Sequence, residues 1–144
     1  MRRIGNCYGG KNYKEITMEI NVKIGAEGKA TTLVDRAKSA AAVGSGLLEV
    51  YATPSMAALM EQSACVALEG ALPEGWTTVG VMLNLEHTRA TRMGAQVEAQ
   101  ATVTMVDGRA VEFEIVASDD RGEIGRATHR RVAVESARFM SKLG

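Results

Sequence analysis

Three polar residues, Thr53, Glu61 and His87, stand where the surrounding pattern predicts apolar or neutral side chains. Glu61 lies in the middle of a predicted helix, and its neighbours at helical spacing are alanine, cysteine and leucine residues. Removing a carboxylate from water raises its pKa, which would suit general acid or base chemistry. The alternative is an ordinary glutamate on the solvent-facing edge of the helix, and the pattern alone leaves both interpretations open.

His87 continues the alternation of a predicted strand, whose apolar members are Val79, Val81, Leu83 and Leu85. Alternate residues of a strand point to one face, so we expect His87 to face the central helix. A histidine there is either a proton-transfer group or a core residue whose hydrogen bonds are satisfied. Because Glu61 and His87 would come from two layers packed on each other, they form a candidate pair.

Thr53 precedes Pro54 at the start of the predicted helix, a pattern typical of an N-cap residue. A helix N-terminus also carries free N–H groups and a partial positive charge, which suit a developing oxyanion. The capping and chemical interpretations are compatible. No metal site is expected, because Glu61, His87 and His129 lack the spacing of a ligand set.

The elements that position these residues begin with a strand predicted over Ile16–Ile24 and a short helix over Ala37–Val43. The central helix is predicted from Thr53 to about Gly70, because apolar and small residues recur there at helical spacing. Four alternating segments and a short terminal helix follow, at 79–87, 95–106, 111–117, about 123–134 and 136–143. This order predicts an α+β fold with one antiparallel sheet against one long helix.

The chain has 144 residues, of which 17 are basic and 17 acidic, and this balance argues against a nucleic-acid partner. No apolar run reaches the roughly 18 residues of a membrane span, and no signal-peptide pattern is present. We therefore expect a cytoplasmic protein without a membrane partner. Residues 1–15 lack periodicity and are predicted to be a flexible extension, with a single domain over residues 16–144. Cys65 lies in an apolar run and is predicted to be a buried free thiol.

Four separated segments resemble the fluoroacetyl-CoA thioesterase family, whose members are hotdog-fold acyl-CoA thioesterases. They are VYATPSMAALME (Val50–Glu61), TVGVMLNLEHTRAT (Thr78–Thr91), VDGR (Val106–Arg109) and GEIGRATHRR (Gly122–Arg131). The resemblance implies a sheet wrapped around the central helix and a homodimer with active sites at its interface. It also implies hydrolysis of an acyl-CoA, with coenzyme A as part of the substrate and no separate cofactor.

The resemblance further implies a catalytic constellation of Thr53, Glu61 and His87, with Gly80 lining the pocket and Arg131 near the substrate. Departures from the family concern selectivity: the phenylalanine-rich lid that precedes the family's threonine is replaced here by VGSGLL (residues 43–48), and no phenylalanine precedes Phe113. We therefore expect a different or broader acyl preference. A non-catalytic acyl-CoA-binding protein and an enoyl-CoA hydratase remain as alternatives.

The same segments contain further basic residues with two interpretations each. Arg89 and Arg92 follow His87 closely, and would either meet the phosphates of coenzyme A or form a solvated basic loop. His129, beside Arg130 and Arg131, belongs either to a charged strand edge or to a wall of the same pocket.

Overall fold

A five-stranded antiparallel sheet packs against one long helix in the computed structural model, which describes residues 18–144. The strands follow the order β1-β3-β4-β5-β2 across the sheet, so β1 and β2 form its two edges. The strands are β1 (Glu27–Leu33), β2 (Trp76–His87), β3 (Gln96–Asp107), β4 (Ala110–Asp119) and β5 (Gly122–Glu135). The helices are α1 (Ala40–Val43), α2 (Thr53–Ala67) and α3 (Ser136–Ser141), and a 3-10 turn over Arg36–Lys38 precedes α1. The predicted α+β architecture is confirmed.

Helix α2 lies on the sheet because one face of it is apolar or small at helical spacing. Its buried residues are Met56, Leu59, Met60, Ser63 and Ala64. Strand β1 approaches this helix closely through Gly28, where an added Cβ would collide with backbone atoms of Ser63 and Ala67. Cys65 lies on the other side of α2 and is exposed, so the prediction that it is buried is wrong.

The four later strands match their predicted positions, with ends that differ by at most three residues. The predicted Asp107-Gly108 turn joins β3 to β4, and Gly108 has a φ of +61°, a conformation that glycine adopts without strain. These short connections make β3, β4 and β5 a continuous antiparallel meander. The meander forms the centre of the sheet and supplies one wall of the core.

The first strand was predicted over Ile16–Ile24, and this is wrong for its described part, 18–24, which pairs with no strand. Alternation there reflects burial alone: Ile20 is buried, and the Asn21 N–H donates to the carbonyl of Ala71 instead of to a strand. The first strand is β1, which pairs with β3. The predicted extension, residues 1–15, lies outside the described residues.

A register shift in β2 between Gly80 and Met82 changes which side chains face the helix. After the shift, Leu83 and His87 pair with His129 and Gly125, two buried residues of β5. Before it, Gly80 pairs with buried Arg131, whereas Val79 pairs with Val132 on the opposite face. The predicted single alternation from Val79 to His87 therefore fails at this bulge, and Gly80 takes the inward position instead.

Candidate active site

Thr53 and His87 are joined by a hydrogen bond of 2.8 Å between Thr53 Oγ1 and His87 Nδ1. Thr53 is the first residue of α2, and Ala52, with extended backbone angles, occupies the N-cap position. The prediction that Thr53 caps the helix is therefore wrong. Because its hydroxyl is not engaged with the helix backbone, it is available to His87.

The other ring nitrogen of His87, Nε2, is buried and has no hydrogen-bond partner among the described residues. Burial, the largest cause, lowers the pKa of His87, and the backbone of Arg89 offsets part of this effect. The imidazole is consequently neutral at neutral pH, and one of its nitrogens is able to accept a proton. This state is the one that a general base requires.

Tyr51 borders the same place, and its hydroxyl is the second buried side-chain atom of residues 18–144 that lacks a partner. Its ring meets the His87 ring edge-on with centroids 6.3 Å apart, and burial raises the pKa of the phenol to about 12. Tyr51, Thr53 and His87 line one cleft of about 270 Å³, together with Ser45, Val50 and the segment 88–90. Two unsatisfied polar atoms belonging to the walls of one cleft are typical of a site that receives a polar ligand.

Glu61, Gly80, His129 and Arg131 form a second cluster. Glu61 Oε2 lies 3.8 Å from His129 Nε2 and 3.8 Å from Arg131 Nη1. A Cβ added to Gly80 would lie 2.5 Å from Glu61 Oε2, so only glycine leaves room for the carboxylate in this position. The side chain of Glu61 is 43% exposed in the single chain, and it is therefore accessible to a ligand or a second subunit.

Arg131 is held by chain partners at three of its nitrogens. Nε donates to Thr78 Oγ1 at 2.9 Å, Nη2 donates to the Thr78 carbonyl at 3.1 Å, and Nη1 lies 3.2 Å from His129 Nε2. His129 Nδ1 lies 2.8 Å from the carbonyl of Met82, which only accepts, so Nδ1 carries the proton and Nε2 accepts from Arg131. Burial lowers the pKa of His129 and keeps it neutral. The result is a fixed guanidinium that makes no hydrogen bond to a carboxylate and forms only a 3.8 Å ion pair with Glu61.

Within one chain these two clusters are separate. Thr53 and Glu61 are eight residues apart on α2, which corresponds to about 12 Å along the helix axis. His87 and Gly80 are seven residues apart on β2, or roughly 23 Å. The structure thus brings Thr53 to His87 and brings Glu61 to Gly80 and Arg131, but it does not bring Glu61 to His87 in the same subunit.

Arg89 and Arg92 are bound to carboxylates of the β4–β5 turn. Arg89 Nη2 lies 2.8 Å from Asp119 Oδ1, and the Thr91 hydroxyl donates to the other oxygen of Asp119 at 2.8 Å. Burial alone would raise the pKa of Asp119, but the Arg121 N–H, Arg89 and Thr91 together lower it. Arg92 pairs with Asp120 at 3.2 Å. Both arginines anchor the loop after His87 through ion pairs, so this loop is not an unpaired basic one. A contact of either arginine with the phosphates of coenzyme A stays a prediction.

Sequence reasoning did not single out Tyr51 or Thr78, and it left His129 as one of two alternatives. Thr78 is two strand positions before Gly80, and its contact with Arg131 depends on the pairing of β2 with β5. His129 is a wall of the Glu61 cluster rather than part of a charged edge, because it is fully buried. Among residues 18–144, no three histidine, cysteine or acidic side chains are grouped in a way that would hold a metal ion. In the same range, no helix has the length and apolar character to cross a membrane.

Comparison with known proteins identifies the family. The family model described as "FlK: Fluoroacetyl-CoA-specific thioesterase" matches residues 34–137. This chain belongs to that family. Fluoroacetyl-CoA thioesterase from Streptantibioticus cattleyicolor is 34% identical over 95 residues, which cover 66% of this chain and 68% of that protein. The predicted family membership is confirmed, and the chain is a thioester hydrolase.

Solved structures agree with this assignment. A structure of the fluoroacetyl-CoA thioesterase FlK has a TM-score of 0.81 and 27% identity, covering 85% of this chain and 95% of that one. A hot-dog-like protein from Thermanaerovibrio acidaminovorans has a TM-score of 0.77 at 24% identity, covering 85% and 90% of the two chains. The latter similarity shows the fold alone. The predicted hotdog fold is confirmed.

Proposed function

We propose that this acyl-CoA thioesterase hydrolyses small acyl thioesters with Thr53, Glu61 and His87, and that it requires no cofactor beyond the coenzyme A of its substrate. The observation that carries the proposal is the 2.8 Å contact between Thr53 Oγ1 and His87 Nδ1, at a histidine whose second nitrogen is buried and unpaired. A hydroxyl within hydrogen-bond reach of a neutral imidazole is the arrangement of an activated nucleophile.

In the reaction that this geometry supports, the Thr53 oxygen attacks the thioester carbonyl carbon while its proton passes to His87 Nδ1. Collapse of the tetrahedral intermediate breaks the C–S bond, and the departing thiolate takes the proton from His87. A water molecule then adds to the acyl-threonine ester while Glu61 accepts its proton. Collapse of this second tetrahedral intermediate breaks the C–O bond to Thr53, the Thr53 oxygen takes the proton from Glu61, and the free acid leaves. Each step conserves protons, and the net reaction consumes one water.

Negative charge develops on the carbonyl oxygen in both halves of this reaction, and two features are suited to it. The first turn of α2 presents backbone N–H groups, although Pro54 at the second position lacks one. Arg131 offers a buried positive charge whose direction is fixed by Thr78 and His129. We assign substrate-binding roles in this site to Arg131 and Gly80. Gly80 has no Cβ, and this leaves room for the Glu61 carboxylate.

The site becomes complete if two copies pair along β2. This strand is a sheet edge of 12 residues, and an unpaired edge of that length favours association with another strand. An antiparallel pairing centred near Leu83 and Asn84 would place His87 of one copy opposite Gly80 of the other. The Thr53–His87 pair would then meet Glu61 and Arg131 of the second copy, which supports a homodimer with two shared active sites.

Mixing two inactive variants tests this sharing. Dimers of His87→Ala and of Glu61→Gln are expected to be inactive, but a mixed dimer has one intact shared site. After subunit exchange, half of the dimers are mixed and half of their sites are intact, so activity should recover to about one quarter of wild type. No recovery, with mixed dimers demonstrated by mass spectrometry, would place both residues in one subunit's site.

The acyl group is expected to be small, and no preference for a fluorinated acyl group is expected, because residues 43–48, which precede Thr53, include no aromatic side chain. Leu47 is 94% exposed and Leu48 68% exposed, and they lie between Ser45 and Val50, two residues of the cleft wall. Flexible leucines close an acyl pocket less specifically than packed aromatic rings. We infer a broader acyl range than that of a fluoroacetyl-specific enzyme.

A panel of acyl-CoA substrates tests the function itself. Thiol release from acetyl-, propionyl-, butyryl- and fluoroacetyl-CoA is followed with a thiol reagent, and hydration of crotonyl-CoA is followed by loss of its enoyl absorbance. We expect thiol release from several short chains without strong preference for the fluorinated one. Hydration without thiol release would favour a hydratase, and tight binding without either reaction would favour an acyl-CoA-binding protein.

A further inference from the structure

A second cavity, at the far end of β2 from His87, combines aromatic rings with positive charge. It has a volume of about 220 Å³ and lies between the start of β2, the β3–β4 turn, the end of β5 and helix α3. Two aromatic rings, three cations and one carboxylate contribute to its walls: Trp76, Phe139, Arg109, Arg138, Lys142 and Glu135. None of these residues belongs to the proposed catalytic site.

The charge of this cavity is unusual for the protein, whose formal net charge is zero. Most arginines of the described chain are paired with carboxylates, as Arg36, Arg126 and Arg130 are with Glu49, Glu123 and Glu112. By contrast, the three cations of the cavity form no ion pair with any residue in the range 18–144. With one carboxylate on the wall, the cavity carries an excess of two positive charges.

The walls of the cavity are tied to one another by defined contacts. The guanidinium carbon of Arg109 lies 5.1 Å from the Trp76 ring centroid, a cation–π arrangement that orients Arg109 without neutralising it. The Ala133 N–H donates to the Arg109 carbonyl at 2.8 Å, and the Ser136 N–H donates to the Gly75 carbonyl at 2.9 Å. The turn, the two strand ends and α3 are therefore held together around the opening.

We propose that this cavity binds the phosphorylated adenosine end of coenzyme A, an inference that rests on the proposed acyl-CoA substrate. An aromatic wall suits a purine ring, and arginine and lysine suit its phosphates. Trp76 is four strand residues from Gly80, so the cavity lies roughly 13 Å from the Glu61–Arg131 cluster along β2. An extended pantetheine arm bridges that span. Trp76 lies eleven positions from His87 of its own chain, which is much farther than its distance from Gly80. The subunit that binds the nucleotide is therefore the one that supplies Glu61 to the same active site.

The test compares two variants of the full-length protein that lose the same charge. Arg138→Gln with Lys142→Gln removes two exposed cations from the cavity, whereas Lys23→Gln with Lys29→Gln removes two exposed and unpaired cations elsewhere. Each is assayed with acetyl-CoA, acetyl-dephospho-CoA, which lacks the 3′-phosphate, and the N-acetylcysteamine thioester, which lacks the nucleotide. Binding of adenosine 3′,5′-bisphosphate is measured by calorimetry on the same preparations.

We expect the cavity variant to raise the KM for acetyl-CoA about tenfold, with unchanged kcat and unchanged hydrolysis of the N-acetylcysteamine thioester. It should also lose the preference for acetyl-CoA over acetyl-dephospho-CoA and lose binding of the bisphosphate, while the control variant keeps both. Equal KM values in the two variants would overturn the proposal. The proposal would also be overturned if the cavity variant lost bisphosphate binding but kept the wild-type KM. The cavity would then bind a free nucleotide and not the substrate. If no thioester is hydrolysed, the proposed function fails, and bisphosphate binding alone decides whether the cavity recognises the nucleotide.

Discussion

Replacing Thr53 with alanine should lower the catalytic rate far more than the stability, because Thr53 does not cap helix α2 in the structure. The change removes one exposed hydrogen bond, worth about 0.5–1.5 kcal/mol, and alanine returns up to about 0.7 kcal/mol in helix propensity. The free energy of unfolding should therefore change by less than about 1 kcal/mol, which corresponds to roughly 4 °C in Tm for a chain of this size. Loss of the nucleophile should lower kcat by about 10³-fold, or about 4 kcal/mol in the activation barrier.

The assay is thiol release from acetyl-CoA, with Tm measured on the same preparations. Thr53→Ser keeps the hydroxyl and should retain far more activity than Thr53→Ala. Ser55→Ala is a matched control in the same helical turn: the Ser55 hydroxyl makes no hydrogen bond to a described residue and lines a different cavity, so activity should stay within about twofold. A well-folded Thr53→Ala protein that keeps more than about a tenth of the wild-type kcat would refute the assignment of Thr53 as nucleophile.

Three further outcomes follow from the geometry. The acid limb of kcat/KM should have its midpoint below pH 6.5, because burial lowers the pKa of His87; a midpoint above 6.5 would contradict a buried neutral base. Gly80→Ala should lower thiol release at least about tenfold, because the added Cβ displaces the Glu61 carboxylate; unchanged turnover would show that the placement of Glu61 is unimportant. The variant should also lose some stability, because the Cβ lies 3.2 Å from Arg131 Nη1 and from His129 Cε1, both buried. Burial lowers the pKa of His129 in the folded protein, so the same histidine is protonated at a higher pH in the unfolded chain. The free energy of unfolding should therefore decline as the pH falls below about 6.5. His129→Phe should flatten that decline in denaturant titrations and should raise KM by freeing Arg131; an unchanged pH dependence would contradict the neutral assignment.

Much of the fold was predictable because its patterns are long. Helix α2 repeats apolar and small residues over four turns, and β3, β4 and β5 alternate over ten or more residues each. The first strand was not predictable in the same way. Residues 18–24 alternate because Ile20 and its neighbours pack on the core, while their backbone has no strand to pair with. Alternation reports which side chains are buried, and strand pairing needs a partner that the local sequence does not specify.

The candidate site was predictable residue by residue, but its arrangement was not. Thr53, Glu61 and His87 are identifiable as polar residues in an apolar pattern, and the family resemblance assigns them roles. Their division between two clusters depends on the bulge at Gly80, which moves Gly80 to the inner face beside Glu61 and interrupts the alternation of β2 before His87. The support of Arg131 by β2 and β5 residues likewise comes from strand register, which has no local sequence signal.

The measurement that tests the central claim most directly is kcat/KM for thiol release in Glu61→Gln, His87→Ala and the double variant, each shown to be folded and dimeric. If the two residues act in one assembled site, each single change removes most of the rate and the double change costs little more, because residues sharing a chemical step are strongly non-additive. Near-normal thiol release by folded Glu61→Gln, or rate losses that simply multiply in the double variant, would contradict the account.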